Sequence, residues 1–280
     1  MDFGIDVSQH QLSWDDILSR TRYAEGAGFN GAWVFDHFRA LYGDPSGPCL
    51  EGWSLLAALG AATQEIRLGA LVTGVTYRHP SVLAAQAVTV DHVSNGRLEL
   101  GIGAAWFEDE HRELGIEFPS AGQRGRRLEE AVQVIKKLMT EPGGSFDGRY
   151  YQLREARYRP PPVQEPHPPI WIGAAGEKVM LPIVGRHADV WHTYGSVERI
   201  KRKSEIVERA ARDAGRDPTE IRRSTGLSIS EPWDEVRRRI ESVAEIGVSY
   251  LTVSWPTEGQ ERLEEFVDEV MPDYVEREER

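Results

Sequence analysis

Two titratable side chains stand together after a short apolar run, Val34-Phe35-Asp36-His37-Phe38. An imidazole titrates near neutrality and a carboxylate beside it can orient it, so Asp36 and His37 are candidates for moving a proton. The same pair could instead cap the next turn. A second pattern is a set of small-residue runs: Leu68-Gly69-Ala70-Leu71-Val72-Thr73-Gly74, Leu100-Gly101-Ile102-Gly103-Ala104-Ala105-Trp106 and Ile170-Trp171-Ile172-Gly173-Ala174-Ala175-Gly176. Such residues let a flat ligand lie against backbone, or form a bulge. The third run leads into an amphipathic stretch. Its free N–H groups and the helix start suit a phosphate, with Lys178 in the first helical turn; a tight turn is the alternative. His192, in Asp189-Val190-Trp191-His192-Thr193, either lines the same mouth or packs inside.

Residue spacing argues against several other chemistries. In Gly101-Ile102-Gly103-Ala104-Ala105-Trp106 a tryptophan stands where a dinucleotide fingerprint needs its third glycine. There is no G-x-S-x-G elbow, P-loop or H-E-x-x-H. Glu108-Asp109-Glu110-His111 has the wrong order for a zinc helix, and Gln9-His10-Gln11 offers one histidine where barrel metal sites need two. No metal is expected. Arg78 and His79, just before Pro80, suit either the rim or a ligand, and Pro80 suits a first helical position.

These runs must be held by regular elements. Strand patterns begin near Phe3, Gly31, Arg67, Arg97, Ile170, Asp189, Arg223 and Tyr250. Helical patterns follow at 13–27, 51–63, 80–94, 123–140, 177–187, 196–215, 232–246 and 258–270. Alternation of this kind gives βαβ units and a parallel sheet. Eight strands with eight helices predict a (β/α)8 TIM barrel, with a doubly wound open sheet as the alternative. In a barrel the small-residue runs and the Asp36-His37 pair fall at the C-terminal strand ends, where such folds place their sites. The step from Arg97 to Ile170 is too long for one unit and predicts an insertion between the fourth and fifth strands. Residues 142–169 fill it with a hairpin-like segment and a proline-rich stretch, either a tether or a lid.

Composition bounds the partners. The 280 residues carry a net charge of −12, which argues against nucleic acid. Cys49 is the only cysteine, so no disulfide framework is expected. No basic leader or long apolar run is present, so a cytoplasmic protein without a membrane span is expected.

Residues 28–38, 51–119 and 168–178, over half of the chain in the expected order, resemble the bacterial luciferase-like superfamily. The likeness is to the subgroup assigned to coenzyme F420, a deazaflavin. It implies a single-domain barrel with the deazaflavin ring at its mouth and a non-proline cis peptide near Ala70–Leu71. Gly103 and Ala104 would contact the ring or its chain, and Gly173, Ala174, Ala175, Gly176 and Lys178 would bind the phosphate. Asp36 and His37 match the pair near the reactive face. The resemblance thus implies hydride transfer, with His37 exchanging a proton, Asp36 orienting it, and Phe38, Trp106 and His192 lining the substrate pocket. Arg39, Arg78 and Lys178 are candidate cations for an acidic cofactor tail. Trp106 stands where sugar-phosphate dehydrogenases of the family place a glutamate, which favours a less polar substrate. Alternatives on the same fold are an FMNH2-dependent monooxygenase and a non-catalytic flavin-binding protein. Relatives are commonly dimers, and helices 51–63 and 80–94 offer an apolar surface for a homodimer.

Overall fold

The structure, a computed structural model, describes residues 1–275. The chain runs β1 (Asp2–Asp6), α1 (Trp14–Gly26), β2 (Gly31–Val34), α2 (Gly52–Ala62), β3 (Arg67–Ala70), β4 (Thr73–Gly74), α3 (Pro80–Val93), β5 (Leu98–Gly103), α4 (Glu108–Leu114) and α5 (Ala121–Thr140). It continues with β6 (Gly144–Asp147), β7 (Gln152–Ala156), β8 (Ile170–Gly173), α6 (Met180–His187), β9 (Val190–His192), α7 (Val197–Asp213), β10 (Arg222–Leu227), α8 (Trp233–Ala244), β11 (Tyr250–Ser254) and α9 (Gln260–Glu269).

All pairings of the main sheet are parallel. They run β3-β2-β1-β11-β10-β9-β8-β5-β4, and a β3–β5 pairing closes the ring. This is the (β/α)8 barrel, its third stave split into β3 and β4. The split holds a non-proline cis peptide at Leu71–Val72, one residue beyond the Ala70–Leu71 position expected from sequence.

Helix starts follow local chemistry. Ser13 and Asp16 form a capping box on α1, and the Glu51 carboxylate accepts from Trp53 N and Ser54 N at the head of α2. Pro80 is at the first turn of α3, where His79 caps by accepting from Ser81 N. His79 is therefore used by the helix rather than by the mouth.

Successive strand residues alternate between the helices and the barrel interior. The lower interior is filled by Trp33, Trp171 and Tyr250, with the two indole rings 4.3 Å apart. Glycines make room: a Cβ on Gly4 would lie 2.3 Å from the Tyr250 hydroxyl, and one on Gly69 2.4 Å from the Trp33 ring. Glu99 is buried among them, accepting from Trp171 Nε1 and paired with Arg67. Above this layer Val72 fills the space between Gly103 and Gly173, whose added Cβ atoms would come within 2.7 and 2.9 Å of its side chain.

Gly101 is the tightest of these positions. A Cβ there would sit 1.9 Å from the Ala70 carbonyl oxygen, a backbone atom that cannot rotate away. Gly101→Ala should therefore cost about 3 kcal/mol or more, which thermal unfolding reads as a loss of several degrees. An unchanged melting temperature would mean that β3 and β5 separate freely at this point.

The insertion divides into two parts. β6 and β7 form an antiparallel hairpin docked on α5, where the Glu130 carboxylate accepts from the backbone N–H of Arg149, Tyr150 and Tyr151. The proline-rich stretch then descends along α3. The Asp91 carboxylate accepts from Val163 N, Gln164 N and Gln164 Nε2, and Gln164 Nε2 also donates to Leu98 O at the start of β5. This end of the barrel is opposite the site, so the stretch is a tether rather than a lid. No helix among the described residues is long and apolar enough to cross a membrane.

Candidate functional site

The C-terminal strand ends enclose a cavity of about 550 Å3. Leu71 and Val72 form its floor. Gly74, Gly103, Ala104, Ala105, Gly173, Ala174 and Ala175 form a wall of small residues, and Met180 lies beyond them. Phe35, His37, Leu41 and Tyr42 contribute from the segment after β2, Tyr77 and Trp106 from those after β4 and β5, and His192, Thr193 and Tyr194 from the end of β9. Ala105 holds a left-handed conformation, φ 59°, rare for a residue with a Cβ and common where backbone faces a ligand.

His37 is the best-supported titratable group in the cavity, but Asp36 does not orient it. Its Nδ1 lies 2.9 Å from Glu110 Oε2, and Glu110 is fully buried. The same carboxylate oxygen accepts from the Tyr77 hydroxyl, while Oε1 accepts from Phe38 N at 2.8 Å and Arg39 N at 3.2 Å. Burial by itself would raise the Glu110 pKa. The hydrogen bonds from His37, Tyr77 and Phe38 outweigh it and hold the group below the usual glutamate range. Glu110 is thus a carboxylate, and the Tyr77 proton is engaged with it. Nδ1 of His37 must carry its own proton to bond Glu110, so neutral His37 presents an unprotonated Nε2. Burial and the Glu110 contact in turn raise the Tyr77 pKa.

Asp36 is buried with both oxygens on the Arg78 guanidinium, and Arg78 also reaches Glu51 at 3.1 Å. The fork geometry of arginine explains the pairing: it satisfies two carboxylate oxygens at once, which one imidazole N–H cannot do. Asp36 therefore joins the β2 and β4 segments to the head of α2 and lines no part of the cavity. Phe38 is likewise outside the cavity, its ring set edge-on against Tyr77 at 5.1 Å.

The third small-residue run is also partly redistributed. Gly173, Ala174 and Ala175 line the cavity, but Gly176 and Lys178 are exposed and do not. The helix starts later than the pattern suggested: a turn at 177–179 intervenes, and the Gly176 carbonyl accepts from Met180 N and Leu181 N. The backbone N–H groups of Ala175, Gly176 and Glu177 donate to no backbone carbonyl of the described residues. Of the expected rim cations, Arg78 is taken by Asp36 and Arg39 by Glu113.

His192 lines the cavity and is buried. Nδ1 lies 3.0 Å from Ser224 Oγ, Nε2 has no partner, and burial pulls its pKa down to about 3. The imidazole is neutral at physiological pH. Thr193 Oγ1, beside it, is also buried and unpartnered.

A closed parallel barrel with its cavity at the C-terminal mouth, a split third stave and a small-residue wall is the setting for comparison with known proteins. The sequence model of the family described as luciferase-like monooxygenase matches residues 1–264. The chain belongs to that family. It is 33% identical over 192 residues to an F420-dependent glucose-6-phosphate dehydrogenase of Microbacterium testaceum, covering 68% of this chain and 56% of that protein. It is 30% identical over 213 residues to an FMNH2-dependent dimethylsulfone monooxygenase of Pseudomonas putida, covering 74% of this chain and 58% of that one. Among solved structures, an F420-dependent secondary alcohol dehydrogenase with an F420–acetone adduct superimposes with a TM-score of 0.88 at 20% identity, over 98% of this chain and 99% of the other.

For a luciferase-like chain the lining fits a flat, uncharged ring. The small-residue wall admits it against backbone, Leu71 and Val72 give an apolar face, and His192 Nε2 and Thr193 Oγ1 offer uncharged polar atoms with no protein partner. Among the described residues no three histidine, cysteine, aspartate or glutamate side chains gather as a metal site.

Glu110, the carboxylate that holds His37, is a site residue that the sequence patterns do not single out. It sits on α4, a seven-residue helix inside the insertion between the fourth and fifth barrel strands, in Glu108-Asp109-Glu110-His111. The helix signal was present: acidic residues in the first turn, basic ones in the last, and Gly115 just beyond in the left-handed region at φ 68°.

Proposed function

We propose that this protein is an oxidoreductase that exchanges a hydride between coenzyme F420 and a small, fairly apolar organic substrate. The observation that carries this reading is a buried, ionised Glu110 fixing one tautomer of His37 at the edge of a cavity walled by small residues. Bound there, the deazaflavin would supply the carbon that gives or takes the hydride. Leu71, Val72, Gly103, Ala104, Gly173 and Ala174 would hold the ring, and the free N–H groups of the 175–177 turn would meet the phosphate. His37 Nε2 takes a proton from a substrate hydroxyl, or returns one to a carbonyl, while Glu110 stabilises the imidazolium across Nδ1. Trp106 and Phe35 keep water from the reacting carbon.

A second reading is an FMNH2-dependent monooxygenase. The apolar floor and small-residue wall suit FMN equally, and one relative carries that activity in its name. Parallel fluorescence titration of purified protein with F420 and FMN separates the two. F420 is expected to bind at least tenfold tighter; tighter FMN binding overturns the first reading. Tight F420 binding with no hydride exchange towards any alcohol or ketone would favour a carrier role over the first reading.

A further inference from the structure

The cavity rim carries a feature that hydride transfer does not require. Tyr42, Trp106 and Tyr194 all line the cavity, yet their relative exposures are 65%, 65% and 62%. They come from three separate strand-to-helix segments, after β2, β5 and β9. The other large apolar side chains exposed among the described residues are aliphatic, and none lines the cavity. Two of the three stand by a histidine at the site: Trp106 is 6.1 Å from His37, and Tyr194 is 4.8 Å from His192. Aromatic faces held in water gain most from a flat partner that covers them.

The lining is also free of charge. It contains no lysine, arginine, aspartate or glutamate. Arg78 is paired with Asp36 and Glu51 and Arg39 with Glu113, and Glu110 accepts from His37 and Tyr77; Asp6, at the end of β1 near Tyr194, is a carboxyl group whose pKa burial raises to about 7. The unpartnered polar atoms, His192 Nε2 and Thr193 Oγ1, belong to neutral groups on side chains more than nine-tenths buried. An anionic ligand group would lose its hydration here without gaining a counter-charge.

We propose that the substrate is an uncharged molecule with a flat aromatic or polycyclic body, clasped at the rim by Tyr42, Trp106 and Tyr194 while a hydroxyl or carbonyl group enters the cavity. The proposal rests on the reading that a cofactor ring occupies the small-residue wall, which leaves the exposed rim rings to hold the body of the substrate.

Calorimetric titration with 9-fluorenone, fluorenone carboxylate and acetone, with F420 bound and without it, tests the clasp. Fluorenone is expected to bind on the order of tenfold tighter than its carboxylate and tighter still than acetone. Trp106→Ala and Tyr194→Ala should each weaken fluorenone by roughly tenfold and leave the affinity for F420 unchanged. Equal or tighter binding of the carboxylate, indifference of fluorenone to both substitutions, or no fluorenone binding in either state overturns the proposal. If F420 fails to bind while fluorenone binds and is lost in Trp106→Ala, the cofactor reading falls and the clasp stands.

Discussion

Glu110→Gln is expected to lower turnover by roughly two to four orders of magnitude while leaving cofactor affinity within about twofold. The glutamine carbonyl can replace Oε1 and accept from Phe38 N and Arg39 N. Its NH2 group then faces His37 Nδ1 and the Tyr77 hydroxyl, where a carboxylate oxygen had accepted from both. The imidazole must turn its lone pair to that NH2 group and carry its proton on Nε2. It then faces the cavity with a donor where the reaction needs a base, and no carboxylate remains to stabilise the imidazolium. The substitution also disturbs a buried network, so a stability loss of about 1–3 kcal/mol is expected alongside. Steady-state kinetics with F420, together with its dissociation constant by fluorescence, checks the split. Turnover within a fewfold of wild type would mean that Glu110 only anchors the loop between β2 and α2.

His37→Asn is expected to reduce turnover by about 10²–10⁴-fold, the usual contribution of a positioned acid–base group. An asparagine amide can still donate to Glu110, and Phe38 N, Arg39 N and the Tyr77 hydroxyl continue to satisfy that carboxylate. The network is kept and only the titrating nitrogen is lost. Thermal stability and cofactor affinity should therefore change little, which separates a chemical role from a structural one. Full turnover with cofactor still bound would remove His37 from the reaction.

The barrel was legible because its signals are local. Strand runs at Phe3, Gly31, Arg67, Arg97, Ile170, Asp189, Arg223 and Tyr250 all fall on barrel strands or within two residues of one. Alternating apolar strands and amphipathic helices of unit length leave few other ways to bury their faces. Gly103, Gly173, Ala174 and Ala175 could be placed at the mouth for the same reason, since a parallel barrel fixes which strand ends share a face.

The partners of the charged residues were not legible. Asp36 and His37 are neighbours in sequence, which suggested that one serves the other. In the fold Asp36 meets Arg78, forty-two residues on, and His37 meets Glu110, seventy-three residues on. Lys178 was placed in a first helical turn that instead begins two residues later, because three turn residues separate Gly176 from α6. Local pattern is enough for the barrel, its insertion, the small-residue wall and the place of His37 at the mouth. Packing between distant segments sets which carboxylate holds that histidine, makes the proline-rich stretch a tether, and brings three aromatic rings to the opening. Periodicity and strand order are carried by neighbouring residues, whereas a buried ion pair or a rim is assembled across loops whose paths no local pattern specifies.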